Sequence, residues 1–188
     1  MILFVAATRE ELGDLPGETL GLGAVNAAAR AATLITQDRP DGVVLLGSCG
    51  SYPGGPTIGE AVIARRVGLS SGVAAMGLGY VPSPPEAVSC DEQLVERLPH
   101  KRVDALTVHA ITTDPVLAQR LSDGWDVEHL EAFGVARACA VAGVPFSAVL
   151  GVASEVGPDA HTHWLLHRQD ALIAARAAVT PLLAEVPA

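Results

Sequence analysis

Short apolar runs alternate along this chain with longer segments of helical spacing. Residues 2–7 are apolar throughout and predict a buried first strand. The breakers Gly13, Pro16 and Gly17 follow, and residues 18–22 predict a second strand. Alanine-rich residues 25–36 carry apolar positions at helical spacing and predict a helix, which Asp38-Arg39-Pro40-Asp41 ends. Residues 42–46 are fully apolar, the pattern of a strand covered on both faces. Gly47 to Gly59 is rich in glycine, serine and proline and predicts a loop. Further strands are predicted over 60–67, 103–111 and 145–152. Helices are predicted over 91–98, 128–142 and 158–184, and a helical turn over 115–121. Gly143 suits the C-cap of the 128–142 helix. Residues 68–90 are rich in glycine and proline and predict no regular element.

This alternation predicts an α/β fold with a mostly parallel or mixed sheet, residues 1–188 forming a single domain. Ligands of such sheets sit at the carboxyl ends of strands. The segments to watch are therefore 7–12, 21–26, 47–51, 110–114 and 151–157.

Composition narrows the function classes. The net charge of −9 argues against nucleic-acid binding and against docking on an anionic membrane surface. With 49% hydrophobic and 18% charged residues, the chain buries a large core rather than remaining disordered. Met1 to Val5 has no basic region before it and the chain turns polar by Thr8, so this reads as a first strand, not a signal peptide. The longest apolar run, Ala138 to Ala153, is interrupted by Gly143, Pro145, Ser147 and Gly151 and is too broken to span a bilayer. Cys49, Cys90 and Cys139 have no CxxC spacing and read as reduced thiols. The expected setting is the cytoplasm.

Five segments carry candidate chemistry. Glu10 and Glu11 follow the first strand, where a carboxylate near apolar residues can act as a base; the plain alternative is a first helical turn favoured by the helix dipole. Gly21-Leu22-Gly23-Ala24-Val25-Asn26 matches half of a dinucleotide fingerprint, but Asn26 replaces its third glycine and no acidic partner follows, so a tight turn into a helix is the better reading. Gly47-Ser48-Cys49-Gly50-Ser51 offers backbone amides to a ligand, or a nucleophile at Ser48 or Cys49 with His109 or His129 as base. Glu131 opens an alanine- and valine-rich helix, where a carboxylate needs hydrogen bonds such as those of two ligand hydroxyls. His163 and His167 share a helix face, but no third ligand or HExxH glutamate accompanies them, so a solvated or interface face is favoured over a metal site.

Together these segments resemble the nucleoside phosphorylase and nucleosidase family, which cleaves purine N-glycosidic bonds. Residues 1–12 look like its opening strand and acidic turn. Gly21 to Ala28 resembles its G-x-G-x-x-N-A-A segment, 43–63 its glycine-rich loop and following strand, and 127–155 its conserved-acid helix and final strand. Residues 68–125 match poorly. The resemblance implies a three-layer α/β sandwich with a mixed, mostly parallel central sheet flanked by helices. It implies Glu11 as the glutamate that activates water, in the absence of a phosphate loop, and Glu131 as the glutamate that binds ribose hydroxyls. Leu130 takes the place of a methionine under the sugar, and Ser48 and Gly50 match the loop around ribose and water.

One departure stands out. The family's Asp, which protonates the leaving purine, is replaced: aligned on Gly151 to Glu155, its place holds Ser154, with Glu155 next to it as a substitute. Futalosine hydrolases, which release hypoxanthine in menaquinone synthesis, resemble the chain in its Ala-Ala-Thr start and are the leading subgroup. The resemblance implies a small-molecule purine nucleoside substrate, a homo-oligomer, and no metal or organic cofactor. The alternatives are a methylthioadenosine/adenosylhomocysteine nucleosidase, a phosphorylase, a catalytically weak nucleoside-binding protein, or a hydrolase built on Ser48 or Cys49.

Overall fold

In the computed structural model, residues 1–183 are described. The first strand, β1 (Ile2–Ala6), is buried along its whole length. It pairs in parallel with the two-residue β2 (Glu18–Thr19) and with β3 (Gly42–Ser51). Between them run the short α1 (Arg9–Leu12) and α2 (Ala24–Asp38). In α2 the buried residues Ala27, Ala31, Leu34 and Ile35 fall on one face, as the apolar spacing requires.

The chain continues through β4 (Ala61–Leu69), α3 (Gly72–Ala75), β5 (Val88–Ser89), α4 (Glu92–Glu96), β6 (Lys101–Thr107) and α5 (Pro115–Leu121). Asp91 and Asp114 cap α4 and α5, each accepting a hydrogen bond from the backbone N–H three residues on, and Pro115 opens α5. The strand β7 (Val127–His129), α6 (Ala132–Ala142), β8 (Phe146–Glu155), α7 (Ala160–Ala178) and α8 (Thr180–Leu183) follow. Gly143 closes α6 in the left-handed conformation expected of it.

The sheet is mixed and mostly parallel, flanked by helices. Its order is β2-β1-β3-β7-β6-β4-β5, and β8 pairs in parallel with β3 and antiparallel with β4. Helix α7 packs along β8 and β3, and α6 packs on the sheet while holding α2. The approach of α7 is close: a Cβ on Gly151 of β8 would stand 2.0 Å from the carbonyl oxygen of Ala171, so only glycine fits there. Among the described residues no helix is long and apolar enough to cross a membrane.

The elements differ from the sequence expectation in several places. The predicted loop at 47–59 is strand as far as Ser51, because β8 pairs with β3 from Val43 to Ser51. The predicted helix 128–142 begins as strand: Val127–His129 are drawn into the sheet by β6 on one side, and Val127 and Glu128 pair with the end of β3 on the other. The strand predicted over 103–111 is regular only over Lys101–Thr107. The predicted helix 158–184 is split, α7 ending at Ala178 before α8. There Pro181 has no N–H to donate, and the hydroxyl of Thr180 donates to Ala177 O instead. Ala184, the last residue of that prediction, lies outside the described residues.

Candidate active site

The pairing of β3 changes midway along its length. Its first half lies beside β1, whose last partner is Leu46; its last two residues lie beside β7. Between these neighbours, Gly47 to Cys49 have no partner on that side, and a cavity of about 340 Å³ opens there. Such a divergence at strand ends is where α/β sheets place their ligands.

At the Gly47 end stand Glu11, His129 and Glu131. Glu11 is the third residue of α1, and its Oε2 accepts hydrogen bonds from Thr8 N at 2.8 Å and Thr8 Oγ1 at 3.2 Å. Burial holds its carboxyl above the ordinary range, and nearby Glu131 adds to this; the hydrogen bonds from Thr8 offset part of the effect. A Cβ on Gly47 would lie 2.8 Å from His129 Nε2 and 3.3 Å from Glu11 Oε1, so glycine here makes room for both groups.

The protonation of His129 follows from its partners. Its Nδ1 accepts the backbone N–H groups of Glu131 and Ala132, each at 3.1 Å, at the start of α6. A nitrogen that accepts two donors carries no proton, so the ring is neutral with its hydrogen on Nε2. The 3.4 Å approach of Glu131 Oε2 to Nδ1 is therefore proximity and not an ion pair. Glu131 stands at the N-cap position of α6, but its side chain turns away from the helix, and its Oε1 accepts Gly23 N at 2.8 Å. That bond ties the glycine-rich turn at 21–23 to the site and leaves Oε2 for another donor.

At the other end, Gly50 is flanked by Ser154 of β8 and Glu128 of β7. The register of β3 and β8 shifts by one residue, with Ala153 extra between the Cys49–Val152 and Gly50–Ser154 pairs. This bulge turns Ser154 into the cavity and Glu155 outward, where Glu155 is exposed. Glu128 is buried; Tyr52 OH donates to its Oε2 at 3.1 Å, and Thr112 N to its Oε1 at 2.9 Å.

The side wall is apolar. Leu130 and Leu22 line it together with Trp164, whose Nε1 donates to Ser48 Oγ at 3.1 Å. The Arg168 guanidinium lies over the Trp164 ring, 4.7 Å from its centre. From the same helix, Arg168 and Gln169 reach Glu10, and Arg176 donates to the carbonyl oxygens of Glu10 and Glu11. Helix α7 thus fixes both the wall and the segment that carries Glu11.

Of the residues singled out from sequence, the structure gathers Glu11, Ser48, Gly50, Leu130, Glu131 and Ser154 around one cavity and leaves Glu155 outside it. Cys49 also lines the cavity, but burial pushes its thiol well up, and His129 offers no free lone pair to act as its base. His109 is exposed. Sequence reasoning did not assign Glu128 or Trp164 to the site. The alternation Val127-Glu128-His129, had it been read as strand, was the available signal for Glu128.

Comparison with known proteins fits this arrangement. The profile of the phosphorylase superfamily matches residues 17–186. The futalosine hydrolase of Thermus thermophilus is 32% identical over 180 residues, covering 88% of this chain and 79% of that protein. A 5′-methylthioadenosine/S-adenosylhomocysteine nucleosidase of an Exiguobacterium species is 30% identical over 159 residues, covering 75% and 67%. Among solved structures, the futalosine hydrolase of Helicobacter pylori superposes with a TM-score of 0.86 at 14% identity, covering 98% of this chain and 97% of that one. The Neisseria meningitidis nucleosidase in complex with methylthio-immucillin-A gives 0.82 at 18% identity, covering 98% and 99%.

Proposed function

This chain belongs to the phosphorylase superfamily, and from that premise we propose that it hydrolyses the N-glycosidic bond of a purine nucleoside derivative. Futalosine, cleaved to hypoxanthine and dehypoxanthinyl futalosine in menaquinone biosynthesis, is the first candidate substrate. The observation that carries the reading is the pair of carboxylates, Glu11 and Glu131, on either side of His129 at the floor of one cavity.

The chemistry assigns each group a task. Glycosidic cleavage passes through an oxocarbenium-like sugar, which a nearby carboxylate stabilises. Glu11 takes the proton of the attacking water, a role suited to a carboxyl whose basicity burial has raised. Glu131, with Oε2 unclaimed by the backbone, accepts the ribose hydroxyls and fixes the ring. Leu130 packs under the sugar, Ser48 and Gly50 border the ribose and water, and Ser154 hydrogen-bonds the departing base. The same reading makes the chain a cytoplasmic homo-oligomer. Leu22 and Ile111 support it, since they line the cavity while remaining 66% and 51% exposed in the single chain.

The test is chromatographic detection of free base. The protein is offered futalosine, methylthioadenosine, adenosylhomocysteine, inosine and adenosine, each with and without phosphate. Base release without phosphate, fastest from futalosine, is the expected result. Release only with phosphate makes the chain a phosphorylase and removes the water-activating role of Glu11. Binding without release makes it a nucleoside-binding protein.

A further inference from the structure

Glu11 and Glu131 have tasks in the reading above, and the residue between them has none. His129 ends β7, is only 4% exposed, and lines the cavity. Its Nδ1 takes the backbone N–H groups of Glu131 and Ala132, which fixes both the tautomer and the direction of the ring. The hydrogen is therefore on Nε2, and among the described residues no protein group accepts it. A buried donor left so is costly unless something in the cavity takes its hydrogen.

The direction of Nε2 says what that partner is. A Cβ on Gly47 would stand 2.8 Å from Nε2 and 3.3 Å from Glu11 Oε1, so the two groups converge over the bare Cα of Gly47. Thr8 holds the other oxygen of Glu11, Oε2, which leaves Oε1 as the one turned to this spot. Here β3 has no partner strand on the cavity side. A fixed donor and a fixed acceptor on one spot are the two needs of a nucleophilic water. The acceptor takes its proton, and the donor binds the lone pair not used in attack.

From this juxtaposition, and resting on the hydrolysis proposed above, we infer that His129 is a catalytic residue, a neutral imidazole that donates Nε2–H to the attacking water and holds it against Glu11 Oε1. In the step, the water oxygen bonds to C1′ and one water proton passes to Glu11. The C1′–N9 electron pair goes to the departing base. The proton taken up by Glu11 returns through solvent to that base, and Nε2–H neither leaves nor arrives. A neutral donor suits this place, because a cation there would lower the basicity that burial gives Glu11.

A purely structural role is the competing account, because Nδ1 also holds the start of α6. Two variants separate the accounts. In His129→Asn the side-chain oxygen takes the place of Nδ1 and keeps both backbone bonds, but no donor reaches the place of Nε2. In His129→Gln the amide nitrogen reaches that place, and the Nδ1 acceptor is given up. Melting temperature and the kinetics of base release are measured for both on the best substrate of the assay above. His129→Asn is expected to lower kcat about 10²-fold with KM within about 3-fold of wild type. His129→Gln is expected to melt lower than His129→Asn yet turn over about 10-fold faster. The reverse order, with activity following stability, overturns the assignment, as does an undiminished kcat in His129→Asn. A loss confined to KM puts Nε2–H on a sugar hydroxyl and overturns it too. Adding His129→Asn to Glu11→Gln is expected to cost no more than about 3-fold beyond Glu11→Gln alone, since both act on one water, whereas losses that multiply contradict a shared water. If the wild type releases no base, the hydrolytic reading fails and this assignment with it; an active wild type beside an unimpaired His129→Asn removes this assignment alone.

Discussion

Asp104 and Glu128 are carboxylates buried on adjacent strands of the same sheet, in opposite surroundings. Asp104 on β6 receives Arg65 through Nε at 2.9 Å and Nη2 at 2.7 Å, and Arg66 Nε lies 3.0 Å away. Its charge is paired in place, and Asp104 in turn raises the proton affinity of Arg65. Glu128 on β7, like Glu11 and Glu131 at the other end of the cavity, has only neutral donors. Among the described residues no lysine or arginine pairs with any of the three. A paired carboxylate has its charge compensated where it stands. An unpaired buried one costs folding free energy, which marks it for chemistry.

The largest effect that tests this contrast is at Glu11. Glu11→Gln is expected to lower turnover about 10²-fold or more while substrate still binds. Because burial raises its carboxyl, the acidic limb of the wild-type pH–rate profile lies above the ordinary carboxylate range. The same shift predicts a gain in stability from the substitution. A carboxyl with a raised folded value favours the fold fully below its unfolded value and loses that contribution as pH rises through the folded one. Above the folded value the wild type has lost it, so there the glutamine variant melts higher, and melting curves across pH check the sign. Unchanged turnover removes Glu11 as the base.

A smaller effect is expected at Glu131. Glu131→Gln weakens riboside binding roughly 10-fold, in line with about 1.5 kcal/mol for a hydrogen bond to a charged group, and leaves binding of the free base as it was. Equal losses for riboside and base contradict contact with the ribose. The smallest change in activity is expected at Asp104. Asp104→Asn leaves turnover intact and lowers stability by about 1–2 kcal/mol, less than a fully buried pair because both arginines are more than a third exposed. Lost turnover with unchanged melting breaks the comparison outright.

The strands at 2–7 and 42–46, the helical turn at 115–121 and the C-cap at Gly143 were legible because local signals and tertiary demands agree there. Glu11 and Glu131 were legible as a pair through the family resemblance, since nothing local says that residues 120 positions apart meet at one histidine. What could not be read depends on pairing. Val127 to His129 carry no strong strand propensity and are strand because β6 and β3 lie on either side of them. Whether Ser154 or Glu155 faces the cavity depends on one extra residue in the β8 ladder, which alternation along 145–152 does not announce. The segment 68–90 gave no pattern, and beyond the last two residues of β4 it contains only the four-residue α3 and the two-residue β5.

The bridge between α1 and α7 has a consequence for synthesis. Glu11 is made well before the arginine that grips its backbone, 165 positions later, and before the tryptophan that walls the cavity. Most of the sheet is made before either arrives. A partly made chain therefore presents Glu11 on a turn not yet tethered to α7, and the pocket closes only when that helix is laid down.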